Sequence, residues 1–322
     1  MSFSGDVKEE LSRQFSAARH CQLAELAAII SMCADVMISE KDEYSIKIHT
    51  ENAAVARKCF TLLKKGFKIE TEIVIRRNQY LKKSNVYLIT IFSHEDSIRL
   101  LKAMRFLKAD QTVDDEIALV SHLVVQRNCC KRAFVRGAFL AAGSISAPEK
   151  FYHLEIVCSS KEKAEQLQEI MVSLEIDAKI VGRKKHYVVY IKEGAQIVDF
   201  LALTEANVSL MNLENIRILK EMRNNVNRKV NCEAANINKT VSAAVKQIED
   251  IRYIQDQIGL NHLPEGLEEV AALRLEYPEA TLKELGLMLT PSVGKSGVNH
   301  RLRKISDIAC KLKENKEELY YD

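Results

Sequence analysis

The run Ala133-Phe134-Val135-Arg136-Gly137-Ala138-Phe139-Leu140-Ala141-Ala142-Gly143-Ser144-Ile145 decides the fold of this chain. Gly137 and Ala138 stand among apolar residues, the composition of a helix whose backbone closely approaches another helix. An earlier stretch, Ala24 to Val36, has the same small/apolar pattern, with Ala28 in the place of Gly137.

The order of elements after each stretch also repeats. After the first come a strand-like Tyr44 to His49, a helical Asn52 to Lys65, strands Lys68 to Arg77 and Val86 to Phe92, and a helix from His94 to Phe106. After the second come strand Phe151 to Cys158, helix Ser160 to Leu174, strands Asp177 to Arg183 and His186 to Lys192, and helix Ala195 to Leu203. The strands alternate with period two, as in Ile69, Thr71, Ile73 and Ile75 or Tyr187, Val189 and Ile191, whereas the helices space apolar residues three and four apart. A duplicated unit of about a hundred residues predicts an α+β fold with pseudo-twofold symmetry, because solenoid repeats are shorter and more numerous.

The paired helices resemble the core helices of LAGLIDADG homing endonucleases, which pack face to face and each end in an acidic residue that holds a catalytic metal ion. The resemblance covers roughly residues 20 to 205 and implies an αββαββα duplication. The acid falls five residues after the small packing residue, which gives Cys33 after Ala28 and Ala142 after Gly137. A register using Asp35 puts Ile30 at the close-packed position and Val36 where glycine belongs, so it fails. The second copy has no Asp or Glu from Ile117 to Pro148. Magnesium needs hard oxygen ligands, so both acid positions being replaced predicts that the chain is no enzyme.

Length and composition bound the remaining possibilities. With 322 residues, 47% of them hydrophobic, the chain can build packed cores. No apolar run approaches the roughly 20 residues that span a bilayer, and the N-terminus lacks a signal-peptide pattern. The expectation is therefore a cytoplasmic protein with no membrane partner. Cys21, Cys33, Cys59, Cys129, Cys130, Cys158, Cys232 and Cys310 form no CxxC pair and have no histidine at zinc spacing. They read as reduced, mostly buried thiols, and neither a metal nor a cofactor is expected; no small-molecule substrate is evident either. A net charge of +3 decides little, because it can hide local asymmetry.

Such asymmetry exists. Seven bases, among them Lys64, Lys65, Arg76, Arg77, Lys82 and Lys83, face two acids between Lys64 and Lys83, and Arg183, Lys184 and Lys185 occupy the matching turn of the second repeat. These are candidate DNA-backbone contacts, since phosphates require cations at strand ends, although solvated hairpin turns look alike. Asn212 to Val226 reads as a helical connector. The next stretch, to Lys239, is rich in asparagine and bases and reads as a linker crossing phosphates or a polar hinge, with Arg228, Lys229 and Lys239 as further candidate contacts.

The C-terminal part reads as a helix-turn-helix. Thr240 can cap a helix Val241 to Ile258, closed by Gly259, and Pro264 can open a second helix to Glu276. Thr281-Leu282-Lys283-Glu284 is a capping-box sequence for a short helix with Leu282, Leu285 and Leu289 inward. Thr290-Pro291-Ser292-Val293-Gly294 breaks the chain before a final helix from about Lys295 to Leu312. On it Val298, Leu302, Ile305 and Ala309 form the apolar stripe, while Lys295, Ser296, Asn299, His300, Arg303 and Lys304, with Arg301 at the edge, form the solvent face. No acid occurs from Leu285 to Ser306. Arginine and asparagine can pair with guanine and adenine edges, and lysine and serine with phosphates, so all seven are candidate DNA-binding residues and double-stranded DNA is the expected partner.

Further stretches carry a closer resemblance: Val230-Asn231-Cys232-Glu233-Ala234-Ala235-Asn236-Ile237-Asn238-Lys239, Gln247-Ile248-Glu249-Asp250-Ile251-Arg252, Leu263-Pro264-Glu265-Gly266-Leu267 and Gly294-Lys295-Ser296-Gly297-Val298-Asn299-His300-Arg301-Leu302-Arg303. With them the chain is similar, over nearly its whole length, to the WhiA sporulation-regulator family. That resemblance implies a catalytically silent LAGLIDADG domain joined to a helix-turn-helix like region 4 of sigma factors, in a bacterial DNA-binding protein of the cytoplasm and nucleoid. It implies a transcription regulator of sporulation or cell division, or alternatively a nucleoid-associated or chromosome-segregation interaction protein without sequence-specific control. Other regulatory, transcription or cell-division proteins are then further partners. The domain boundaries read as an N-terminal helix or arm, 1–20; the duplicated domain, 21–205, with repeats 21–106 and 130–205 and connector 107–129; a helical and Asn/basic linker, 206–240; the helix-turn-helix domain, 241–313; and a polar tail, 314–322.

Overall fold

The computed structural model describes residues 2–40, 43–77, 85–107 and 119–318. Lys82, Lys83, residues 108–118 of the connector and the end of the tail lie outside the described residues. The chain divides into two compact units, Met1–Glu221 and Met222–Asp322.

In the first unit, α1 (Phe3–Ser12) precedes two copies of one arrangement. The first copy comprises α2 (Arg19–Cys33), β1 (Ala34–Ile38), β2 (Tyr44–Thr50), α3 (Ala53–Thr61), β3 (Glu72–Arg77), β4 (Asn85–Ile91) and α4 (His94–Met104). The second comprises α5 (Asn128–Ala142), β5 (Gly143–Ile145), β6 (Leu154–Cys158), α6 (Lys161–Val172), β7 (Lys179–Arg183), β8 (His186–Ile191) and α7 (Gly194–Thr204). Both sheets are antiparallel with equivalent strand orders, β1-β2-β4-β3 and β5-β6-β8-β7. The α+β duplication is thus present in three dimensions.

Two local expectations change. The first motif helix stops at Cys33 rather than Val36, because Ala34–Ile38 pairs with β2, from Ala34↔Ile48 to Ile38↔Tyr44. Its counterpart stops at Ala142, and Gly143–Ile145 pairs with β6. Both strands begin directly at the helix ends, where the small/apolar helix pattern runs on into them, and β5 has only three residues. The period-two run also misleads: Ile69 is buried, but Ile73 and Ile75 lie exposed on β3, an edge strand.

The sheets bury Ile46, Ile48, Ile89 and Ile91 in one half and Leu154, Ile156, Val189 and Ile191 in the other. Between the halves α2 and α5 pack against each other at very short range. A Cβ at Gly137 would lie 2.4 Å from the Glu25 carbonyl oxygen and 3.0 Å from the Ala28 Cβ, so only glycine permits this approach. Beside it, the Arg136 guanidinium donates from Nε and NH2 to the two Glu25 carboxylate oxygens at 3.0 and 3.2 Å. Lys58 Nζ reaches Glu25 Oε1 at 2.5 Å and donates to the Leu11 carbonyl at 2.8 Å. Arg136 also donates to Glu205 and to the Ser16 hydroxyl, which ties α2, α3, α5 and the chain on either side of them to one buried carboxylate. Burial still pulls the Lys58 ammonium below the usual lysine range, with Glu25 opposing.

The second unit contains most of α8 (Asn207–Gln257), then α9 (Glu268–Glu276), α10 (Leu282–Met288) and α11 (Lys295–Glu318). The Asn/basic stretch, read as a linker crossing phosphates or a polar hinge, is helical throughout as part of α8, and Thr240, expected as a cap, donates its hydroxyl to the Asn236 carbonyl inside the helix at 2.9 Å. The physical reason is that neither Gly nor Pro occurs between Gly194 and Gly259, and asparagine costs under about 1 kcal/mol per residue in a helix. Conversely, the helix expected from Pro264 starts at Glu268, because Gly266 with φ 80° turns the chain first. Ile251, Ile254, Val270, Ala271, Leu285, Leu289, Val298, Leu302, Ile305 and Ala309 form this unit's core. Buried Arg274 braces it, bonding Gln247 Oε1 at 3.1 and 3.0 Å and the Ala280 carbonyl at 2.7 Å.

Candidate nucleic-acid interface

The capping box forms as the sequence predicts: Glu284 N donates to Thr281 Oγ1 at 3.3 Å, and Thr281 N to Glu284 Oε2 at 2.7 Å. It starts α10, whose Gly286 accepts the returning chain. Val293 N donates to the Gly286 carbonyl at 2.9 Å, and a Cβ at Gly286 would lie 2.0 Å from the Val293 carbonyl oxygen. Glycine there lets the turn fold tightly back onto α10 before α11 begins, the order of a helix-turn-helix. Val298, Leu302, Ile305 and Ala309 then face the core as expected.

With about 100° per residue, the seven candidates on α11 separate into three groups. Lys295, Ser296 and Arg303 are exposed and Asn299 half-buried, along one stripe directly after the turn. His300 and Lys304 are exposed further round, where they line a shallow cavity of about 440 Å³ together with Arg301, Glu265 and Asp307. Arg301 has a structural partner: its NH1 donates to the Gly266 carbonyl at 3.3 Å and its guanidinium lies against that glycine. Glu265 and the Gly266 turn, both remote in sequence from this helix, divide a face that looks uniform in sequence.

The other candidates are dispersed. Lys64 and Lys65 are exposed on the π-helical turn Leu62–Phe67 after α3, with Lys64 3.7 Å from Glu70. Arg76 and Arg77 are exposed on β3, and Lys184 and Lys185 in the β7–β8 turn. Arg183 donates to Glu155 Oε2 at 3.0 Å. Arg228, Lys229 and Lys239 are exposed on α8. Directly opposed residues share a sheet face, so the face away from Ile48 and Ile89 carries Lys47, His49 and Arg76 together with Asp35 and Glu72. The corresponding face of the second sheet carries Lys179, Arg183 and His186 with Glu155. Both faces are mixed in charge.

The similarity to known proteins extends end to end. A probable cell division protein WhiA from Lachnoclostridium phytofermentans is 58% identical over 314 residues, which is 98% of this chain and 100% of the relative. The chain belongs to the WhiA family. The models of the WhiA N-terminal LAGLIDADG-like domain, the WhiA LAGLIDADG-like domain and the WhiA C-terminal HTH domain match residues 19–107, 131–223 and 226–309. A second probable cell division protein WhiA, from Alkaliphilus oremlandii, is 52% identical over 98% of this chain and 99% of its own. The crystal structure of full-length WhiA from Thermatoga maritima superposes with a TM-score of 0.59 at 26% identity, covering 97% of this chain and 99% of that one.

In this WhiA-family chain the helix ends where the acids were expected, Cys33 and Ala142, hold no carboxylate. Cys33, the last residue of α2, donates its thiol to the Ile29 carbonyl at 3.1 Å, and burial pushes its pKa up to about 12 against the pull of Lys8, so it is a neutral thiol at neutral pH. Ala142, the last residue of α5, offers a methyl group. Lys8 of α1 lines a cavity of about 570 Å³ along with Ala142, His49 and Asn52, with its ammonium 5.9 Å from the Phe139 ring centre. Burial lowers that ammonium to about 8, which leaves it mostly charged at neutral pH. Asp35 of β1 is paired with His49 at 2.9 Å. Glu51 also lines this cavity, but the two helix ends themselves offer a neutral thiol and a methyl beside a cation, which do not supply the pair of hard-oxygen ligands a divalent metal would need there. Lys8 was not legible as part of this site, because only the fold brings the N-terminal helix against the ends of both motif helices.

Proposed function

We propose that this chain is a bacterial DNA-binding transcription regulator associated with sporulation or cell division, and that its helix-turn-helix binds double-stranded DNA while its LAGLIDADG-like unit is catalytically silent. The observation that carries this reading is the stripe of Lys295, Ser296, Asn299 and Arg303 at the start of α11, directly after a glycine-closed turn. Arg303 and Asn299 have the donor geometry for guanine and adenine edges, and Lys295 and Ser296 suit phosphates. His300 and Lys304 serve as flanking phosphate contacts, and Arg301 acts through the Gly266 turn. Arg228, Lys229 and Lys239, with Lys64, Lys65, Arg76, Arg77, Arg183, Lys184 and Lys185, are secondary backbone contacts at most.

Genome-wide mapping of bound sites, beside transcript changes, tests this reading. Asn299→Ala and Arg303→Ala should each relax base preference by about 1–3 kcal/mol at one position of the bound motif. Scattered binding by the unsubstituted protein, with no shared motif and no change in transcripts, would refute the regulator. It would favour a nucleoid-associated or chromosome-segregation protein that works through contacts with other proteins. The mixed-charge sheet faces, with exposed Val74 and Val181, are the observation that supports this second reading. With Mg²⁺, purified protein should leave supercoiled plasmid intact; nicking that survives stringent purification would show that catalysis persists without the two acids.

A further inference from the structure

At the opposite ends of the two motif helices from Cys33 and Ala142, the fold assembles four metal-ligating side chains. His20 and Cys21 stand in the first turn of α2, and Cys129 and Cys130 in the first turn of α5. One ligand atom from each lies within 4.8 Å of all the others. His20 Nδ1 is 3.2 Å from Cys130 Sγ and 3.3 Å from Cys21 Sγ. A tetrahedron of sulfur and nitrogen around zinc has edges of about 3.5–3.8 Å, given metal–ligand bonds of about 2.3 and 2.0 Å. The donors therefore need to shift only slightly.

We propose that His20, Cys21, Cys129 and Cys130 form a structural Cys3His site for one zinc-class divalent ion. The donor set is the soft, nitrogen-and-sulfur type that selects zinc over magnesium or calcium. The donors are too close together to span a multi-iron cluster. The site is also symmetric: the offset that carries Ala28 to Gly137 carries His20 to Cys129 and Cys21 to Cys130, so each half contributes an equivalent pair. Cys21 and Cys130 are buried while His20 and Cys129 are exposed, which leaves the ion an entry path from solvent. Three thiolates and a neutral imidazole around a divalent ion leave one net negative charge. The exposed Arg127 guanidinium, 3.4 Å from His20 Nε2, is placed to balance it after turning aside for the Nε2 proton. The ion would clasp the two halves of the duplication where their central helices begin. The spacing rule for zinc misses this site, because each half supplies adjacent ligands and the halves meet only in the fold.

The test is cobalt titration of the reduced, chelator-stripped full-length protein. Binding should saturate at one ion per chain, with thiolate-to-cobalt charge transfer and the visible bands of tetrahedral cobalt, and zinc should displace it. Cys129→Ser, which removes an exposed thiol, should lose much of the charge-transfer intensity and weaken zinc by about tenfold or more. Cys310→Ser, far away in sequence and also exposed, should change neither. No tetrahedral spectrum in the unsubstituted protein overturns the proposal, as does a spectrum untouched by both Cys129→Ser and Cys21→Ser. A disulfide between any two of the three cysteines in metal-free protein isolated from reducing cells overturns it as well.

Discussion

Glu25→Ala is expected to destabilise the N-terminal unit by about 3–5 kcal/mol, because it strands two buried cations. In the intact protein Arg136 and Lys58 both converge on this carboxylate, and the side chains of Glu25 and Lys58 are fully buried. Removing the acid leaves an ammonium and a guanidinium in an apolar interior, with Glu205, Ser16 and the Leu11 carbonyl as hydrogen-bond partners and the Phe15 ring 5.6 Å from the ammonium. Glu25→Gln should also destabilise, since shape is retained but charge is lost. Replacing all three together, Glu25→Leu with Lys58→Met and Arg136→Met, should recover much of the loss, because no buried charge then remains uncompensated. Hydrogen exchange of residues in α2 and α5 would locate the effect. A loss below about 1 kcal/mol for Glu25→Ala would mean that water reaches the cluster and that its charges are not held in the interior.

Gly137→Val should cost about 3 kcal/mol or more, at the upper end of what overpacking a tight interface costs. Even the first carbon of the new side chain would sit 2.4 Å from the Glu25 carbonyl oxygen, a backbone atom that can retreat only if α2 moves. Moving α2 would also pull Glu25 away from Arg136, so the two effects couple and should be less than additive in a double variant. Gly182→Ala provides the control, because its added carbon would meet only the Tyr187 ring at 3.9 Å. Urea denaturation should show a shifted midpoint for Gly137→Val and almost none for Gly182→Ala. Equal shifts would indicate that the helix pair is loose and that the close approach does not govern stability.

The duplicated order of elements was legible because each strand and helix leaves its own period in the sequence, and the capping box at Thr281 because its two bonds are local. The places of β1 and β5 were hidden, although the αββαββα order implies such strands: a strand that starts at a helix end continues the helix's small/apolar run and shows no break in pattern. The long α8 was misread for the opposite reason. Asparagine favours turns when Gly or Pro accompanies it, but without them its weak preference yields to the propagation of a helix already formed. On α11 the sequence located the exposed face, whereas the separation of Arg301 from Asn299 and Arg303 depends on Gly266, which reaches the helix from another element.

The sequence by itself determined the family, the doubled α+β unit, the absence of a carboxylate at Cys33 and Ala142, and the basic first turns of α11. Each is a property of residue identity and local spacing. Only the tertiary structure decided that Lys8 stands beside the ends of the motif helices, that one carboxylate anchors Arg136 and Lys58, and that His20 and Cys21 meet Cys129 and Cys130. The physical reason is common to all three: these groups come from segments far apart in the chain, and packing of the two central helices against each other, with glycine at their crossing, brings them together.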